Sequence, residues 1–230
     1  MNYKIIDDEQ RLKEFIDWLP ELRDNEKYYL SLFARKKYCQ HLIKSNDKTQ
    51  LRRFTSDKSR MFDKISQLEI PLGRWKLRDI PAPQESLVLY ISVNPRDMKK
   101  ACKALGKKTW DLMENQNFNI HAEALSAIQR SKSRSCWVDF DIDDKGIDLD
   151  IPWLQYRVGE LNKNFKIMET RGGFHILVDP VAATEHCKLN NLKANWHQDM
   201  TSKYPVDQTG DRLTPVAGCL QGNFSPKFLS

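Results

Sequence analysis

The stretch CWVDFDID, residues 136–143, places two aspartates in an apolar run, and TRGGFHILV, residues 170–178, places one histidine in another. Both runs are short and rich in β-branched and aromatic residues, which predicts buried strands. Because side chains alternate between the two faces of a strand, we expect Asp139 and Asp141 on one face and the apolar residues between them in a core. The sequence therefore predicts two strands that carry polar groups on one face.

The remaining sequence predicts an α+β fold. Residues 9–70 are expected to be helical, and three prolines and a glycine within IPLGRWKLRDIPAPQES predict a connection after them. Further expected elements are a strand at 87–93, helix over 97–130, strands at 136–142 and 174–178, and a helix over 153–164. We therefore divide the chain into a helical, basic N-terminal region (1–70), a connection (71–86) and an α+β core (87–230).

Composition excludes several classes of protein. The 230 residues contain five scattered cysteines and no CxxC pair, which argues against a disulfide framework and a structural zinc site. No apolar run is long enough for a membrane span, and the N-terminus lacks the pattern of a signal peptide. We therefore expect a cytoplasmic protein with no membrane partner.

The net charge of +6 is concentrated in one segment, because residues 35–64 contain ten basic residues and only three aspartates. Aromatic residues alternate with these charges, and basic and aromatic groups together suit a nucleic-acid strand. The solvated face of a helix is the alternative interpretation. The candidate nucleic-acid-binding residues in this segment are Arg35, Lys36, Lys37, Arg52 and Arg53. Lys44 is another of its ten basic residues.

Three explanations compete for the Asp-x-Asp pair. Two carboxylates on one strand face repel each other unless a cation such as Mg²⁺ lies between them, whereas a strand edge facing water would need no cation. A calcium loop beginning at Asp139 requires glycine at its sixth position and glutamate at its twelfth, where the chain has Asp144 and Asp150. A loop beginning at Asp141 would end at Pro152, so the calcium loop is rejected.

The second stretch suits a phosphate group. Arg171 and His175 flank the pair Gly172-Gly173, and guanidinium, imidazole and backbone N–H groups all donate to phosphate oxygens. The glycines also fit a close approach of the backbone or a turn into a strand. A satisfied core histidine is the alternative.

A third feature lies in YPVDQTGDRLTPVAGC, residues 204–219, which resembles a loop around an active-site mouth. Asp207 could complete a three-carboxylate metal site, with Asp211 as the alternative ligand, and Arg212 could bind a triphosphate. Ordinary surface-loop chemistry would also account for each of these residues.

Three short motifs follow one another along the chain: Val138-Asp139-Phe140-Asp141, Gly173-Phe174-His175 and Val206-Asp207. In this order they resemble the three motifs of the archaeo-eukaryotic primase (primase-polymerase) superfamily, and most closely its small phage- or plasmid-encoded members. The resemblance covers roughly residues 85–228. It implies a catalytic core with an RRM-like sheet and a smaller α/β unit. It also implies two divalent ions, Mg²⁺ or Mn²⁺, as cofactors. Three carboxylates would be catalytic metal ligands, namely Asp139, Asp141 and Asp207. Four residues would bind nucleotide, namely Arg171, Gly173, His175 and Arg212.

The resemblance thus implies a template-directed nucleotidyltransferase that makes primers from nucleoside triphosphates. Single-stranded DNA template and nucleoside triphosphates are the implied partners, and a replicative helicase is a candidate partner. A metal-dependent nuclease would use the same carboxylates, but it has no need of a triphosphate pocket. A non-catalytic nucleic-acid-binding module is the third hypothesis.

Overall fold

The computed structural model describes residues 1–39, 48–77, 79–114 and 119–229, and within them the chain is α+β with antiparallel sheets. The helices are α1 (Glu9–Trp18), α2 (Lys58–Ser66), α3 (Met98–Met113), α4 (Ile120–Arg130), α5 (Ile151–Val158), α6 (Pro180–Leu189) and α7 (Trp196–Lys203). The strands are β1 (Glu26–Arg35), β2 (Lys48–Ser56), β3 (Lys76–Leu77), β4 (Ile80–Pro81), β5 (Leu87–Ser92), β6 (Arg96–Asp97), β7 (Val138–Ile142), β8 (Phe165–Glu169), β9 (Phe174–Val178), β10 (Gln208–Gly210), β11 (Leu213–Pro215) and β12 (Lys227–Phe228).

The first sheet has the strand order β11-β5-β1-β2, and β6 pairs with the start of β1. All these neighbours are antiparallel. One face is covered by α1 and α2, so that Leu30 and Leu32 of β1 share a buried cluster with Leu12 and Phe15 of α1. The opposite face carries more polar groups, including Ser31 of β1, and is only partly covered.

The second sheet has the order β10-β7-β9-β8-β12 and is also antiparallel. Along the chain the succession is β7-α5-β8-β9-α6-α7-β10, so two strand-helix-strand units interleave in one sheet. Helices α5 to α7 cover one face, where Phe140, Ile142 and Ile176 are fully buried with Leu154. The aspartates of β7 therefore lie on the face that bears no helices.

This helix-free face packs against the first sheet. Met168 and Leu177 project from it into the buried cluster of the first sheet. Asn94, at the end of β5, fixes the start of β7: its Nδ2 donates to the carbonyl of Trp137 at 2.8 Å, and its Oδ1 accepts from the N–H groups of Cys136 and Trp137 at 2.8 Å. The two sheets are thus held in contact close to the Asp-x-Asp pair.

The prediction that residues 9–70 are helical is wrong for residues 26–35 and 48–56, which form β1 and β2. Residues 9–18 and 58–66 are helical as predicted. The run YYLSLF is buried on both faces in the middle of the first sheet, so a helical period does not describe it. Its neighbouring charged residues make the segment resemble an amphipathic helix. Lys44 lies outside the described residues.

The division of the chain at residues 70 and 86 stays a prediction. However, β1 pairs with β5 over five residue pairs, so the N-terminal segment and the predicted core contribute strands to the same sheet. Among the described residues, no helix has both the length and the apolar character needed to cross a membrane.

Candidate active site

The Asp-x-Asp pair lies on the helix-free face of β7, as the alternation of its side chains predicts. Asp139 is fully buried, and the side chain of Asp141 retains 26% of its exposure. Phe140 and Ile142 point to the opposite face, into the core under α5 to α7. The pair is therefore not a water-facing strand edge, because one carboxylate is enclosed and the other is only partly exposed.

His175 of β9 lies between the two carboxylates. Asp141 and His175 are directly opposite each other in the antiparallel register, which places their side chains on the same face. Nδ1 of His175 is 2.9 Å from both carboxylate oxygens of Asp139, and its Nε2 is 3.4 Å from Oδ1 of Asp141. From the first sheet, the buried hydroxyl of Thr214 donates to Oδ2 of Asp139 at 3.2 Å.

The charges of this cluster depend on one another. Burial alone would lower the pKa of His175, but the charge of Asp139 and the hydrogen bond to it raise that pKa to about 8. Burial raises the pKa of Asp141, and although His175 opposes this shift, three neighbouring carboxylates add to it. These carboxylates are Asp139, Asp143 and Asp207. These three carboxylates are therefore close enough to Asp141 to repel its charge, and a cation bound among them would relieve that repulsion.

The glycines after β8 permit a close approach of backbones. A Cβ atom on Gly173 would lie 1.9 Å from the carbonyl oxygen of Ile142, so only glycine fits beside the end of β7. The N–H of Gly173 donates to Oγ1 of Thr170 at 3.3 Å. The guanidinium of Arg171 lies 4.4 Å from the ring centre of Tyr38, beside the site.

The two candidates for the third carboxylate have different surroundings. Asp207 is exposed, and its Oδ2 accepts the backbone N–H of Asp143 at 3.0 Å. Asp211 accepts two hydrogen bonds from the buried guanidinium of Arg96, at 2.6 and 3.1 Å, and a third from Asn94 at 3.0 Å. The charge of Asp211 is already compensated, which favours Asp207 as the carboxylate available to a metal ion.

A cleft of about 590 Å³ opens between the sheets in front of Asp141 and His175. Its floor includes Tyr90 and Pro215 of the first sheet, and α4 forms one wall through Gln129. The cationic side chains that line it are Arg35, Lys37, Arg96, Arg130 and Arg212, and the acidic ones are Asp141, Asp143 and Asp211. A cleft with carboxylates at one point and cations around them suits a polyanionic ligand.

The predicted nucleic-acid-binding residues separate into two groups. Arg35 and Lys37 line the cleft, and Lys37 lies 3.5 Å from the carboxylate of Asp143. Arg53 donates to Oγ of Ser126 at 3.1 Å. The other two, Lys36 and Arg52, are half-buried and exposed respectively. The structure thus brings the first group to Asp141 and His175, while Arg212 joins them from the segment after β10.

Sequence reasoning missed Thr214 and Arg130. Thr214 is fully buried in a strand of three residues, so its contact with Asp139 depends on the pairing of β11 with β5. Arg130 ends a helix whose position over the first sheet has no local signal. The proline and glycine close to Thr214 in the sequence are compatible with a short strand, but nothing in the sequence indicates that Thr214 contacts Asp139.

The carboxylate oxygens of this cluster are donors of the kind that a divalent metal ion needs, since Mg²⁺ and Mn²⁺ prefer such ligands. Among the described residues, no three His, Cys, Asp or Glu side chains are grouped as a metal site would need. The proximity of Asp139, Asp143 and Asp207 to Asp141 is what supports a cation there. Comparison of the chain with models of protein families, with curated proteins and with solved structures gives no match.

Proposed function

We propose that this protein is a template-directed nucleotidyltransferase of the primase-polymerase type, which makes primers from nucleoside triphosphates on single-stranded DNA. The observation that carries the proposal is the cluster of Asp139, His175 and Asp141, of which His175 and Asp141 line a cleft with five cationic side chains. Two of the three motifs that suggest the family therefore meet in space. The third lies next to them, since the N–H of Asp207 donates to the carbonyl of Asp141 at 2.9 Å.

The second sheet supports the same proposal. Its strands β7, β8, β9 and β10 follow one another with helices after the first and third, which is the βαββαβ succession of an RRM-like sheet. The two central strands, β7 and β9, carry the aspartates and the histidine. This is the sheet that the resemblance to primase-polymerases implies, and a second antiparallel sheet of five strands packs beside it.

The residues have distinct roles in the proposed reaction. Asp139 and Asp141, with Asp207, would hold two Mg²⁺ or Mn²⁺ ions, which when bound supply Lewis acidity toward the primer 3′-hydroxyl and the triphosphate. Asp139 is bound by His175 and Thr214, so to act as a ligand it would exchange one of these contacts for the ion. His175 orients Asp139 and shields the two carboxylates from mutual repulsion. Arg212, Arg35 and Lys37 would neutralise phosphate charge in the cleft.

Incorporation of labelled nucleotides tests the proposal. Wild-type protein is incubated with single-stranded DNA, Mg²⁺ or Mn²⁺ and labelled ribo- or deoxynucleoside triphosphates, with and without a primer. We expect product from the wild type and from Asp148→Asn, an exposed carboxylate outside the cleft, and a loss of at least about 100-fold in Asp141→Asn.

Two results would contradict the proposal. Shortening of labelled DNA without nucleoside triphosphates, abolished in Asp141→Asn, would identify a nuclease. Binding of DNA that is equal in the wild type and Asp141→Asn, with no product under any metal or template, would identify a non-catalytic binding module.

A further inference from the structure

Helix α3 has a strongly basic exposed side. Its sixteen residues include five lysines and one aspartate. Lys99, Lys103 and Lys107 follow each other at intervals of four residues, so they lie on one side of the helix, and all three are exposed. At 1.5 Å per residue they span about 12 Å. We call these three residues the α3 stripe.

The α3 stripe is not neutralised by the part of the chain that the structure describes. Lys108, on the adjacent side of α3, forms an ion pair with Glu123 of α4. Among the described residues, no carboxylate forms an ion pair with Lys99, Lys103 or Lys107. A stripe of unpaired lysines attracts a polyanion and gains more from phosphate contacts than a stripe already paired with carboxylates.

The side of α3 next to the stripe borders a hollow that adjoins the candidate active site. Arg130 of α4 lines the cleft in front of Asp141, and it also lines a second hollow of about 150 Å³ between α3 and α4. Lys100, Lys108 and Glu123 line the same hollow, and each of these lysines directly follows a residue of the α3 stripe in the chain. Cationic groups therefore continue from the cleft across Arg130 onto α3.

We propose that the nucleic-acid strand in the cleft continues over Arg130 and is held through its phosphates by the α3 stripe. The inference rests on the proposed function, since it takes single-stranded DNA as the occupant of the cleft. It adds to the cleft, which Arg35 and Lys37 line, a second contact surface outside the basic segment 35–64. The contacts are to phosphate, so the surface positions the strand and does not select its sequence.

The salt dependence of DNA binding tests this surface. A long and a short labelled oligothymidylate are titrated with protein in fluorescence anisotropy, without nucleotides, over a range of salt concentrations. The test variant is Lys99→Gln/Lys103→Gln/Lys107→Gln. The control variant removes the same charge from exposed lysines outside α3 and α4, as Lys163→Gln/Lys188→Gln/Lys193→Gln.

If all three lysines contact phosphate, the slope of log K against log salt for the long strand should become shallower by about 2 in the test variant. The control variant should retain the wild-type slope, and the short strand, which fills only the cleft, should bind the wild type and the test variant alike. Equal slopes for the wild type and the test variant on the long strand would overturn the inference, and would leave an acidic protein as the ligand of the stripe. Nucleotide incorporation, measured separately, tests the proposed function, so the two can fail independently.

Discussion

Nδ1 of His175 lies 2.9 Å from Oδ2 of Asp139, and both side chains are almost completely buried between the two sheets. The two residues are 36 positions apart and come from adjacent antiparallel strands. A buried carboxylate without a partner would be strongly destabilising, so this contact explains how the fold tolerates Asp139 in its interior.

The first prediction concerns the pH dependence of stability. The pKa of His175 in the folded protein is about 8, above its value of 6.5 in the unfolded chain. The contact therefore stabilises the fold fully below about pH 6.5, and this stabilisation is lost as the pH rises through 8. For protein kept free of metal, we expect the free energy of unfolding in urea to fall by about 2 kcal/mol across this window.

The matched variant for this experiment is Asp139→Asn/His175→Gln, in which neither member of the buried pair can titrate. Its free energy of unfolding should change little over the same window. A decrease of equal size in the variant would mean that another group causes the pH dependence, and the protonated state assigned to His175 would be wrong.

The second prediction distinguishes the two candidates for the third carboxylate. Asp207→Asn should abolish most nucleotide incorporation while leaving stability nearly unchanged, because Asp207 is exposed. Asp211→Asn should destabilise the protein by about 2 to 3 kcal/mol, because it removes the charged partner of the buried guanidinium of Arg96. Urea denaturation and initial rates on both variants check this. The reverse pattern would make Asp211 the ligand.

The third prediction concerns Gly173. An alanine Cβ would lie 1.9 Å from the carbonyl oxygen of Ile142, and backbone cannot move aside as a flexible side chain can. We expect Gly173→Ala to lose at least about 3 kcal/mol of stability. Gly106→Ala is the control, since nothing lies within 4 Å of its Cβ on α3, and it should stabilise the protein by about 0.5 to 1 kcal/mol. Similar melting temperatures for the two variants would contradict the close approach of the two backbones.

The fourth prediction concerns Thr214, which positions Asp139 from the other sheet. Thr214→Val keeps the volume but removes the hydroxyl that donates to the carboxylate, so we expect a loss of about 1.5 to 3 kcal/mol and a lower rate of incorporation. Thr214→Ser retains the hydroxyl and should recover most of the rate. If Ser and Val behave alike, Thr214 acts only through packing.

Part of the fold could be predicted from local sequence. The alternation around Asp139 and Asp141 predicts β7 and its buried face, and the apolar run at 87–93 predicts β5, which spans Leu87–Ser92. Strands β1 and β2 fall in the segment predicted as helix, because charged residues next to an apolar run suit either structure until its pairing partner is known. Strand β8 and helices α6 and α7 are not predicted, because each is at most ten residues long and its apolar residues follow no sustained strand or helix period.

The sequence by itself determined the chemistry available: two aspartates on one strand face, a histidine after two glycines on another strand, and a basic N-terminal half. These follow from side-chain alternation and composition, which are local properties. Tertiary structure alone decided that His175 separates the two aspartates, that Asp211 is bound by Arg96, and that Arg130 joins the cleft to α3. Such contacts join residues far apart in the chain, and strand register and sheet packing set them, so no window of sequence encodes them.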